Sequence, residues 1–328
     1  MAFDVNNTVP DAPRWLHAIA VTTVICTLPL LFLGASVTSH GVGMVDPKGF
    51  RPPWVVINTL FEDSRFAWRL EYGHRTFGFL VGICGIVFAL GCWFFDRRSW
   101  MGWIGFLSLA MICLQGMLGI FRVDLNSQFP IAFKLMHGIF AQLVFATIVT
   151  AMLFTSRRWA SLGVKNGSPA LRRGALIAAM IVFAQLVLGA LVRHHESLLG
   201  PRGHLFGAFL TTGAIVWLLI LMRNEDGSMF RLERMLLMGL LTLQLVLGVE
   251  SWLARFHVIG SNLPQLAPAP THAEWIRTAH YLVGTLIFAT TVSAAWLAHR
   301  GLFANAVMMP NPNTAGLNPD SPTVGAAL

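Results

Sequence analysis

Apolar residues run along this chain in long blocks separated by short polar connections. Residues 76–95 contain no Asp, Glu, Lys, Arg or His, and a helix needs about 20 apolar residues to cross a bilayer. The same reading along the chain predicts eight spans, at 15–38, 76–95, 101–121, 131–154, 175–193, 204–222, 235–254 and 279–298. The predicted fold is an all-α integral membrane protein. Its eight transmembrane helices form two pseudo-symmetric four-helix bundles.

The two-bundle expectation comes from a repeat. "QGMLG" (115–119), "QLVLG" (185–189) and "QLVLG" (244–248) close the third, fifth and seventh spans, and "LLFLG" (30–34) closes the first with Leu30 in place of Gln. Gly34, Gly119, Gly189 and Gly248 are the fixed points. Each even-numbered span has a histidine near its start: His74, His137, His204 and His280. "HGIFAQLVFAT" in the fourth span and "HYLVGTLIFAT" in the eighth align in register. The unit is a helical hairpin used four times, and the larger repeat is four spans used twice, which puts functional sites at corresponding places of the halves. The expected boundaries are a cytoplasmic amino terminus at 1–14, an amino-terminal half at 15–155, a cytoplasmic linker at 156–173, a carboxyl-terminal half at 174–300 and a tail at 301–328. The tail is rich in Pro, Asn, Gly and Ser and reads as disordered.

Composition agrees with membrane residence. The 328 residues are 55% hydrophobic and 12% charged, with mean hydropathy +0.64, against about 25% charged in soluble domains. The net charge of +8 therefore concerns topology and anionic groups rather than nucleic acid. The first apolar run reads as a retained span rather than a cleaved signal or transit peptide. Cys26, Cys84, Cys92 and Cys113 all fall inside spans, which argues against a loop disulfide or a CxxC redox site. Of the 23 basic residues, twelve lie at the ends opposite the four histidines and eleven on the histidine side. Several of those eleven stand close to a histidine, namely Arg75, Lys134, Arg193, Arg202 and Arg277, and are set apart as site residues. The positive-inside rule then places both termini in the cytoplasm.

A lone histidine at a span end is ordinarily an interfacial polar residue, and His17, His40, His257, His272 and His299 are read so. Four histidines at one repeated position differ, because imidazoles in hydrocarbon need partners. Haem iron accepts two axial imidazoles from helices facing across a bundle. The pairs suggested are His74 with His137 and His204 with His280. Copper, zinc or iron bound by side chains alone would want cysteines, carboxylates or a tighter histidine cluster. Gly73, Gly138, Gly203 and Gly207 would let a flat macrocycle approach the backbone, or would serve ordinary close packing of membrane helices. Haem propionates at the interface would take Arg75, Lys134, Arg193, Arg202 or Arg277 as partners. The halves differ at one place: His74 has Glu71 three residues before it, where His204 has Pro201. Glu71 reads either as the reactive carboxylate or as an interfacial ion pair with Arg75 at i+4.

These residues resemble haem A synthases. The similarity is carried by "EYGHR" (71–75), "QGMLG", "MHG" (136–138), "LGALVRH" (188–194), "GH" (203–204), "QLVLG" (244–248), "AHYLVG" (279–284) and the loop "SVTSHGVGMVDPKGF" (36–50), and spans about 15–300. The resemblance implies an oxidoreductase that converts the methyl at position 8 of haem O to a formyl through an alcohol, giving haem A for cytochrome c oxidase. It implies that the substrate haem lies between His74 and His137, that haem b is the cofactor between His204 and His280, and that Glu71 is essential. Some members carry a cysteine pair in external loops; this chain resembles the cysteine-free group. The partners implied are membrane lipid, the haem O-forming prenyltransferase, an electron acceptor that the sequence does not reveal and, as an option, further copies of the chain. The expected location is a bacterial inner (cytoplasmic) membrane, crossed several times.

A di-haem b-type electron carrier would use the same four histidines but gives Glu71 no role. A transporter would want mid-membrane charges or broken helices at matching positions. A prenyltransferase would want Asp-rich diphosphate motifs. Neither is present in the sequence.

Overall fold

The computed structural model describes residues 11–162, 166–194, 199–225, 229–256 and 271–301. Residues 1–10, the tail beyond residue 301 and His257 lie outside them. Ten helices are described: α1 Arg14–Ser39, α2 Pro53–Glu62, α3 Phe66–Phe95, α4 Ser99–Asp124, α5 Ala132–Thr155, α6 Arg157–Ser161, α7 Pro169–His194, α8 Leu199–Arg223, α9 Arg231–Phe256 and α10 Thr271–Ala298. Among the described residues, eight are long and apolar enough to cross a membrane: all except α2 and α6. They coincide with the eight expected spans, and the protein is a multi-pass membrane protein.

The helices extend beyond the apolar runs that predicted them. α3 begins at Phe66 and α10 at Thr271, so the histidines lie one to three turns inside their helices instead of at the mouths. Helix can include the polar stretch "RLEYGHR" because the loop before it satisfies those side chains, as described below. Two short helices were not anticipated. α2 starts on Pro53, whose missing N–H and fixed φ suit a first helical position. α6 lies in the linker and is capped by Ser156, whose side chain accepts from the Trp159 N–H.

Within the first half α1 packs on α3, α3 on α4, α4 on α5, and α5 back on α1; in the second, α7, α8, α9 and α10 close the same ring. Between halves α5 packs on α10, α1 on α10 and α5 on α7. Exchanging the halves maps each of these contacts onto another that is present. α5 and α10, which carry the aligned "His…Phe-Ala-Thr" segments, meet at the centre. Hydroxyls along the spans bond to the carbonyl four residues back, as Thr23, Thr27, Ser108, Thr150 and Thr285 do; this satisfies them where no water is available. Large apolar side chains such as Ile83, Leu90, Phe94, Phe209 and Leu210 face outward, as lipid requires.

The packing is uneven along the bundle. The main buried cluster includes Leu16, Phe88, Met101, Phe154, Trp159, Leu171, Leu218, Met222 and Leu297. These lie toward the end opposite the histidines, while the same cluster thins toward Leu241 and Val283, one turn from Gln244 and His280. Polar ties reinforce that end: Arg98 donates to Asp96 and to the Phe154 carbonyl, and Arg158 bridges to Glu233 at 2.6 Å. One end of each bundle is thus closed by side-chain packing, and the histidines occupy the other.

Candidate functional site: two histidine pairs and a clamped carboxylate

His74 and His137 face each other with ring centroids 6.4 Å apart, and His204 and His280 with centroids 6.1 Å apart. The expected pairs are therefore the pairs the fold brings together. Two collinear metal–nitrogen bonds of about 2 Å, plus half an imidazole on each side, span roughly 6 Å, so each pair fits one six-coordinate iron between its rings. Among the described residues no group of three or more His, Cys, Asp or Glu converges, so the side chains do not form a multi-ligand cage.

The repeated glycines seat these imidazoles. A Cβ on Gly34 would lie 2.7 Å from His74 Cε1, on Gly119 3.2 Å from His137 Cε1, on Gly189 3.1 Å from His204 Cε1, and on Gly248 3.1 Å from His280 Cε1. Each odd-numbered span ends on a glycine because the histidine of the next even span lies against it. The glutamines one turn earlier hold the same helices. Gln115 donates to the His137 carbonyl at 3.1 Å, Gln185 to the His204 carbonyl at 2.9 Å, and Gln244 stands 3.3 Å from His280 Nε2. Where Leu30 replaces glutamine, its backbone carbonyl takes over, accepting from His74 Nδ1 at 2.9 Å. A carbonyl can only accept, so His74 carries its proton on Nδ1 and leaves the Nε2 lone pair for a metal.

This seating gives a graded prediction. Gly34→Ala puts a methyl into an imidazole that is itself tied to a carbonyl, and overpacking of this kind costs about 1–3 kcal/mol. Gly116→Ala, with no atom within 4 Å of its Cβ position, is the control. Haem content and thermal stability of the purified protein should fall for Gly34→Ala and stay at the wild-type value for Gly116→Ala.

Three of the four glycines considered for macrocycle approach serve helix packing instead. Gly73 meets Leu33, Gly203 meets Leu188, and Gly207 meets Leu188 and the Gln185 side chain. At Gly138 the described neighbour of a Cβ is His194 Nε2 at 3.9 Å.

Glu71 is 6% exposed and both of its oxygens are engaged. Oε1 accepts from Arg75 at 2.6 Å and Oε2 from the Val45 N–H at 2.9 Å. The ion pair with Arg75 is formed, and the carboxylate is also clamped by the loop 40–52. That loop is anchored by Asp46, which has no exposed surface. Asp46 accepts from Arg51 Nε and Nη2, from the Lys48 N–H and from the Tyr72 hydroxyl at 2.6 Å. Burial alone would push the Asp46 carboxyl up, but the Arg51 fork, the Tyr72 hydroxyl and the Lys48 N–H outweigh it and hold it well below the usual carboxylate range. A depressed folded-state pKa contributes stability above the ordinary value near 3.8, lost only as pH falls through the lower folded value. The loop anchor is therefore fully charged at neutral pH.

The expected basic partners separate. Arg75 is committed to Glu71 and to the Lys48 and Gly49 carbonyls. Arg193 donates to the Ala35 carbonyl and Ser39 hydroxyl on α1, both at 2.6 Å, and lies over the Tyr281 ring, so it ties the two halves together. Arg202 is exposed, while Lys134 and Arg277 are partly buried. The lone histidines behave as interfacial groups: His17 contacts the Thr155 hydroxyl, His40 bonds the Ser36 carbonyl and pairs with Glu274 at 3.3 Å, His299 bonds the Ala295 carbonyl, and His272 is exposed. All four cysteines are free. Sequence reasoning passed over Arg122 and His194. The signal was a basic residue within a turn or so of the Leu-Gly motif, in "LGIFRVD" and "LGALVRH".

The COX15-CtaA family, described as cytochrome oxidase assembly protein, matches residues 5–149 and 58–200, together more than half of the chain. The chain belongs to this family. No curated protein matches it. The likeness to haem A synthases read from the motifs is borne out, and the family's role in cytochrome oxidase assembly and haem A synthesis is that of this protein. The matched segment contains the loop 36–50, Glu71, His74 and His137. His204 and His280 lie beyond it and are connected to the family pattern through the internal repeat.

Proposed function

We propose that this assembly protein is the haem A synthase itself, oxidising the ring methyl of haem O to a formyl in two steps. The observation that carries the reading is the asymmetry between two otherwise equivalent histidine pairs. Both have an imidazole on a Leu-Gly glycine, but only the first has a buried carboxylate three residues before a histidine. In this reading His74 and His137 hold haem O as substrate, and His204 and His280 hold haem b. When bound, haem b supplies a one-electron relay between the reacting centre and an external acceptor. Glu71, fixed by Val45 and Arg75, would take the proton released as two electrons pass from the methyl or alcohol carbon to the acceptor, or would stabilise the positive charge that develops there until water adds and supplies the oxygen. The packed end of the bundle below the histidines excludes water from the far side of the site.

Extracting the pigments of the purified protein tests this directly. Haem O or haem A together with haem b is expected; haem b alone at two per chain would replace the synthase with the di-haem carrier. We further propose that the histidine ends face outside an inner membrane, with both termini cytoplasmic, on the basic residues around α6 and between α8 and α9. Single cysteines placed in 40–52 and 156–162 of a variant lacking the native four should react with an impermeant reagent in the first segment only. Labelling of the second segment alone would reverse the orientation.

A further inference from the structure

A half-buried guanidinium beside apolar helices favours an anion as partner, and among the described residues Glu71, the carboxylate nearest the first histidine pair, is already engaged. Arg122 lies in the last turn of α4. Its half-buried side chain reaches the loop 40–52, with Nη2 3.0 Å from where a Cβ on Gly43 would stand, and it follows by one turn the Gly119 against which His137 rests. Its charge acts on His74, His137 and His194. Among the described residues its guanidinium makes no hydrogen bond or ion pair. Glu71 is the acidic group whose charge reaches it, and both Glu71 oxygens are held by Arg75 and Val45. Two further groups without partners among the described residues lie on neighbouring helices: Lys134, one turn before His137, and His194, which the charges of Arg122 and Lys134 both reach and whose Nε2 is 3.9 Å from the Cβ position of Gly138. Arg122 of α4 and Lys134 of α5 thus bring positive charge toward one place, with the imidazole of His194 on α7 as a further hydrogen-bonding group, and the Glu71 carboxylate is already engaged.

We propose that Arg122, with Lys134 and His194 beside it, receives the carboxylates of the ligand held between His74 and His137. The inference rests on the haem reading and adds to it the residue that orients the macrocycle. Arg is the suited cation, since its planar fork binds a carboxylate in bidentate fashion where an ammonium acts as a point charge. Arg75, the nearest alternative by sequence, is committed through Nη1 and Nη2 to the loop carbonyls and Glu71, and Arg193 is bonded across the seam. A lipid phosphate could engage the same fork, and the test separates the two.

The full-length protein, carrying its second-half haem, is titrated with ferric haem and with haem whose two propionates are methyl esters. The spectral change that disappears in His137→Ala isolates the first-half site. Wild type should prefer the free acid. Arg122→Gln should weaken free-acid binding roughly tenfold to a hundredfold and leave the diester unchanged, and Arg122→Lys should restore part of the preference. Equal weakening of both ligands would make Arg122 a packing residue and overturn the assignment. An undiminished preference would place the carboxylates elsewhere and leave Arg122 to lipid phosphate. Absence of any His137-dependent spectrum in wild type would overturn the haem reading, and this assignment with it.

Discussion

Glu71→Gln is expected to leave both haems bound with nearly normal spectra and to stop haem A formation. Glutamine keeps the size of the side chain and can still accept from the Val45 N–H, and it is not an iron ligand. It loses the charge that either proposed role requires, and removal of a general base or of a charge aimed at the reacting atoms typically costs 10²–10⁴-fold in rate. Haem O or the intermediate alcohol should accumulate. Glu71→Asp, which retains the charge at shorter reach, should keep a fraction of the activity. One structural alternative must be separated: Glu71 is also a clamp, since it bonds Arg75 and the loop 40–52. Asp46→Asn is the control, because it weakens the loop's anchor to Arg51 and Tyr72 without touching the Glu71 charge. Were Asp46→Asn to lose as much activity as Glu71→Gln, the carboxylate would act by holding the loop. Haem A production by Glu71→Gln at the wild-type rate would reduce Glu71 to an ion-pair partner of Arg75.

Replacing either second-half histidine should have the other large effect. On the proposed assignment, His204→Ala or His280→Ala removes one axial ligand from a pair whose rings stand 6.1 Å apart, and leaves a single imidazole for the iron. Haem b content should drop sharply, the low-spin signature of that site should vanish, and haem A formation should cease, while haem O still binds at His74 and His137. His74→Ala should show the complementary pattern, with haem b retained and substrate binding lost. A His280→Ala protein with full haem b and an unchanged spectrum would remove that site from the second half.

Much of this molecule is legible in one dimension. Hydropathy is a property of consecutive residues, so the eight spans follow from the run lengths, and the repeat of Leu-Gly and histidine follows from counting along the chain. The four histidines could be selected because a polar group recurring at one position of an apolar helix is costly unless it has a task, and Glu71 because it breaks that repeat beside one of them. What the tertiary structure decided concerns partners on different helices. Gly34 and His74 are forty residues apart, and only the antiparallel contact of α1 with α3 explains why the glycine and histidine repeat together. Charge at the edge of an apolar run reads as the end of a helix, yet α3 continues through it because the loop 40–52 folds back to bond Glu71, Tyr72 and Arg75. Arg75 and Arg122 look alike in sequence, each basic and near a site motif. Packing gives the first a carboxylate and two carbonyls and the second none among the described residues, since which donors are already taken depends on side-chain directions that spacing does not encode.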